Sequence, residues 1–136
     1  MSTATTTRTG PATVHVPLPS DARAAVRARA AAALLLEREE GWCPPRVTED
    51  LVLIVSELVT NAVLHADGPY ALTLGLEPGR AGVAVSDGSA VRAGPRGACG
   101  RVDPGGRGLR IVRALGADLF VSPSRRGKQV IAVLTW

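Results

Sequence analysis

Residues 48–65, "TEDLVLIVSELVTNAVLH", constrain the fold more than any other stretch. Apolar residues stand at 51, 52, 54, 55, 58, 59, 62 and 63, a spacing that covers more than half the barrel of an α-helix. A helix this apolar cannot lie on the surface of a small protein. It must be covered on more than one side, which calls for a layered domain around it. Thr48 reads as its N-cap, Glu49 and Asp50 occupy a first turn where the helix dipole favours anions, and Gly68-Pro69 stops it. The remaining narrow stripe carries Glu57, Asn61 and His65, four residues apart. A carboxylate, an amide and an imidazole on a buried helix need partners. They form either a solvated face or the floor of a site.

The flanking patterns supply the layers. Residues 13–18, "TVHVPL", alternate as a short edge strand closed by Pro17 and Pro19. Ser20 then reads as an N-cap and Asp21 as a first-turn anion, for a helix running to about Glu40 and ended by Gly41 and "CPP". On that helix Arg23 and Arg27 read as a solvated face. "YALTLGLE" (70–77) and "GVAVSD" (82–87) alternate as two strands joined by a Pro-Gly turn. Residues 88–108 are crowded with Gly and Pro and read as a long loop, the kind that often serves as a lid or binding loop. A short helix fits Leu109–Leu115 with Gly116 beyond its end, and "ADLFVS" and "KQVIAVLTW" read as two strands around "PSRRG". Strands in clusters, without strict strand–helix alternation, predict an α+β two-layer sandwich. Three helices should lie on one face of a mixed, mostly antiparallel sheet.

Composition bounds the partners. With 136 residues the chain has room for one core. Aromatics make up 3%, so that core must be Ala, Val, Leu and Ile. The net charge of +4 favours anionic partners in general. The Arg residues are scattered, though, and lack the interleaved aromatics of a nucleic-acid surface, so direct nucleic-acid binding is not expected. Cys43 and Cys99 have no metal-ligand spacing and read as ordinary thiols. The longest apolar run, "AAAALLL" at 30–36, is too short to cross a bilayer, and residues 1–13 lack the apolar stretch of a signal peptide. A cytoplasmic protein without a membrane partner is the expectation.

The familiar phosphate motifs are missing. There is no G-x-x-x-x-G-K-[ST], and "GGRGLRI" (105–111) has Ile111 where G-x-G-x-x-G needs its third glycine. What remains is glycine-rich backbone entering a helix N-terminus, whose N–H groups and dipole suit an anion. Together with "ELVTNAVLHA" (57–66) and "SDG" (86–88), in that order, this stretch resembles the GHKL superfamily of ATPases and kinases. That superfamily spans gyrase, the heat-shock chaperone, histidine kinases and mismatch-repair ATPases. Within it the pattern is most similar to small anti-sigma-factor serine kinases. "ELVTNAVLHA" fits the E-x-x-x-N-A-x-x-H-A box, "SDG" the start of the first glycine box, and "GGRGLRIVRALGAD" the second.

The resemblance implies a Bergerat-type ATP-binding fold over residues 13–136, with residues 1–12 a flexible tail and 89–105 an ATP lid. It implies ATP and Mg²⁺ as cofactors. Asn61 would ligate the metal and Glu57 would be the base that takes the serine proton. Asp87 would accept a hydrogen bond from the adenine amino group, with Gly88, Gly106, Arg107, Gly108 and Leu109 completing the nucleotide site. His65 belongs to the pattern but reads as a packing or capping residue. The implied partners are a sigma factor or similar regulator and an anti-anti-sigma-type antagonist, and the family often forms homodimers. Two departures stand out. Asp87-Gly88-Ser89-Ala90 replaces the usual D-x-G-x-G, and Gly127-Lys128-Gln129 replaces a Gly-Thr whose hydroxyl would sit near the adenine. Two readings therefore stay open: a protein serine/threonine kinase, or a partner-binding module that holds ATP structurally or not at all.

Overall fold

The computed structural model of the chain describes residues 12–39, 41, 43–89, 100–101 and 107–136. Strand β1 (Ala12–Leu18) leads through a short turn into helix α1 (Arg23–Arg38) and then helix α2 (Pro45–His65). A hairpin of β2 (Tyr70–Glu77) and β3 (Arg80–Asp87) follows. After it come β4 (Gly100–Arg101), helix α3 (Arg107–Ala114), β5 (Asp118–Ser124) and β6 (Gly127–Thr135). The six strands form one sheet in the order β1-β2-β3-β6-β5-β4. The sheet, expected to be mixed and mostly antiparallel, is antiparallel at every pairing among the described residues.

Registration puts Leu72, Leu74 and Leu76 of β2 beside Val85, Val83 and Ala81 of β3, and these beside Val130, Ala132 and Leu134 of β6. That face is buried under the helices, as the period-two alternation predicts. Helix α2 is the centre of the other layer, packed against α1, α3 and β3. Its Leu51, Ile54, Val55, Leu58 and Val59 are sealed from solvent. Helix α1 buries Ala24, Ala28 and Ala32 and packs on α2 and β1, and Arg29 donates to Ser56 Oγ at 3.0 Å across the α1–α2 contact. Truncating one of the sealed leucines to Ala costs about 2–5 kcal/mol, a large part of a small domain's stability. Tyr70 joins the aliphatic core and donates its hydroxyl to the Ala66 carbonyl at 2.6 Å. Among the described residues no helix is long and apolar enough to cross a membrane.

Several boundaries differ from those read in the sequence. Helix α2 begins at Pro45, not after a Thr48 cap. The Pro44 carbonyl accepts from the N–H groups of Val47 and Thr48, so the proline pair expected only to follow α1 starts α2. At the start of α1 the capping oxygen comes from Asp21, one residue beyond the expected Ser20, and accepts from the Arg23 N–H at 2.9 Å. The Arg23 guanidinium bonds the same carboxylate and holds it below the usual range. Ala12, assigned to the tail, is the first residue of β1 and pairs with Leu76. Inside the expected loop, Gly100 and Arg101 form β4 on β5, and α3 starts at Arg107. The remainder of the expected lid, apart from Ser89, lies outside the described residues, as do Cys99 and Gly106. Cys43 is half-buried, and burial pushes its thiol up.

Candidate functional site

A pocket of about 290 Å³ opens where the C-terminal half of α2 meets the end of β3 and the start of α3. Asn61, Ala62, His65 and Ala66 come from α2, Asp87 from β3, Leu109 from α3, Val121 from β5, and Lys128 and Val130 from β6. Three residues singled out in the sequence, Asn61, Asp87 and Leu109, thus share one cavity. Each arrives for a local reason. Asn61 lies one turn beyond Glu57 on the polar stripe of α2. Asp87 takes the inward place in the alternation of β3, after Val83 and Val85. Leu109 is buried as the apolar residue of the first turn of α3.

Glu57 does not line this cavity. It is half-buried one turn earlier, and a Cβ placed on Gly108 would stand 2.8 Å from its Oε1. The start of α3, which is the second glycine-rich stretch, therefore rests directly on the carboxylate. Any side chain at residue 108 would have to push it aside. Arg107 is the first residue of α3. His65, expected to pack or to cap, is exposed in the last turn of α2 and forms part of the pocket rim.

Gly88 has a structural task. A Cβ on it would collide with the Gly68 carbonyl oxygen, and its N–H donates to the Asp67 carbonyl at 2.7 Å. Ser89 Oγ accepts from the Asp67 N–H at 2.7 Å, so the end of β3 is clamped to the α2–β2 connection. A Cβ on Gly127 would in turn strike the Asp87 carbonyl oxygen.

Asp87 is the most buried polar group of the pocket, its side chain 1% exposed. Its donors are already present. Oδ1 accepts from the Ser89 N–H at 2.8 Å, and Oδ2 pairs with Lys128 Nζ at 2.7 Å. From the sequence, this carboxylate was expected to await the adenine amino group as its donor. The chain supplies a donor of its own, at the position where the resembled family places a threonine. Lys128 is thus a site residue that sequence reasoning passed over as a lost contact. The missing signal is the register: Asp87 and Lys128 stand directly opposite in the β3–β6 ladder, 41 residues apart.

Among the described residues no three His, Cys, Asp or Glu side chains gather as a metal site. Asn61, half-buried on the pocket wall, would be the residue to hold a Mg²⁺ here, an ion that needs few protein ligands when a phosphate is present.

A sheet covered on one face by helices, with a pocket between a long buried helix, a strand end and a glycine-led short helix, is the architecture of the ATP-binding Bergerat class. Residues 18–134 match the family described as the histidine kinase-like ATPase domain, and the chain belongs to that family. No curated protein matches the chain.

Proposed function

We propose that the chain is a cytoplasmic ATP- and Mg²⁺-binding regulator. In this reading it is a serine/threonine kinase of the anti-sigma-factor type, which phosphorylates an antagonist protein and sequesters a sigma factor or similar partner. The observation that carries the reading is the convergence of Asn61, Asp87 and Leu109 on one pocket, with Glu57 one turn away against Gly108. Asn61 offers its amide oxygen to the metal, and Asp87 sits where a base edge would enter. Glu57, held half-buried at the start of α3, takes the proton from a serine hydroxyl presented there. The bound nucleotide supplies the phosphoryl group. The pocket's apolar walls exclude water and orient the base.

Incubation of the chain with labelled ATP, Mg²⁺ and candidate antagonist proteins tests transfer. Glu57→Gln keeps shape and hydrogen bonding but not basicity, so transfer should fall by ~10² or more while ATP affinity holds. Equal rates in the two proteins would remove Glu57 from the chemistry. A second reading, a binding-only module, is favoured by one observation: both Asp87 oxygens already have donors within the chain. Persistent absence of transfer with every partner, alongside measurable ATP binding, would select it.

A further inference from the structure

We infer that the Asp87–Lys128 pair does not choose between purines, so that the pocket accepts guanine as readily as adenine. The inference rests on the nucleotide-binding reading above and concerns what the pocket shows to a base. A lone carboxylate at the pocket wall presents acceptors only. It suits a donor such as the adenine amino group or guanine N1–H, and leaves the neighbouring acceptor, adenine N1 or guanine O6, without a partner. Here the carboxylate is not alone. Lys128 Nζ sits 2.7 Å from Asp87 Oδ2, and both side chains line the cavity.

The pair need not separate for a base to bind. A carboxylate has about four lone-pair sites, and the Ser89 N–H and the ammonium engage one on each oxygen. The ammonium has three N–H donors, one of which is directed at Asp87. A base edge entering between apolar walls such as Ala66, Leu109 and Val130 therefore meets an acceptor and a donor side by side. Adenine matches with its amino group toward Asp87 and its ring N1 toward Lys128. Guanine matches the other way round, its O6 toward Lys128 and its N1–H toward Asp87. Hypoxanthine has the same O6 and N1–H edge as guanine. Each base finds two charge-assisted bonds on this edge.

The test is calorimetry on the full chain with Mg²⁺ and, in turn, ATP, GTP and ITP. Wild type should bind all three within about tenfold of one another, with ITP following GTP. Lys128→Met keeps the stem but no donor, and should weaken ATP, GTP and ITP alike by about tenfold, since each base loses its one bond to the ammonium. Wild-type preference for ATP of about a hundredfold or greater would overturn the inference while leaving the ATP-binding reading in place. A variant whose affinities are unchanged, or fall for one base alone, would overturn it too. Binding of none of the three by wild type would remove both. Should Lys128→Met fail to fold, because its loss leaves the Asp87 charge buried, the wild-type ratios decide alone.

Discussion

Asn61 and Asp87 illustrate how differently two site residues can be held. Asp87 is locked: a strand alternation turns it inward, one donor holds each of its oxygens, and glycines at 88 and 127 let backbone close around it. Asn61 is half-buried on the stripe of α2 and faces the cavity. Replacing it should leave the core untouched, since the sealed side of α2 is carried by Leu58, Val59 and Ala62. Asn61→Ala should therefore keep the wild-type melting curve and abolish the Mg²⁺ dependence of nucleotide binding, which titration with and without the ion measures. Unchanged dependence would place the metal elsewhere. The identity of Asn61 and Asp87 as candidates was legible from short motifs, because helix periodicity and strand alternation decide which way each points. Lys128 was not legible. Its partner is fixed by the β3–β6 register, and no local pattern in "GKQV" announces a charge that has to face inward.

At the scale of elements, two glycines make opposite predictions. Gly108, at the start of α3, faces the end of a flexible side chain, Glu57, whereas Gly127, at the start of β6, faces the backbone of Asp87 and Gly88. Gly108→Ala should thus be absorbed by rotation of the Glu57 carboxylate, leaving stability near wild type but lowering any phosphoryl transfer. Gly127→Ala has no such outlet. It should part β6 from the end of β3 at a cost of about 3 kcal/mol or more, read by urea denaturation. Equal stability of the two variants would contradict the close approach. Long periodic elements such as α2, β2 and β3 could be read from sequence because burial on one face imposes a repeat. Where no repeat exists the reading stopped. Gly100 and Arg101 form a strand only because β5 is there to pair with them, and Pro45 opens a helix that its own sequence neighbourhood makes look like an ending.

For the whole molecule, ligand and fold are linked by mass action. A nucleotide present at 100 times its dissociation constant stabilises the folded state by about 2.7 kcal/mol, which for a domain of this size moves the melting temperature by roughly 10 °C. Thermal melts with saturating ATP and Mg²⁺ should show that rise, and their absence would mean the pocket is not a nucleotide site. The buried ion pair has a further consequence. Many ligand sites carry an uncompensated charge when vacant, so that the protein is frail until its ligand arrives. Here the Asp87 charge is settled by Lys128 from within the chain. Neutralising Asp87 is therefore a task the fold completes without a ligand, so any nucleotide acts on a charge already balanced.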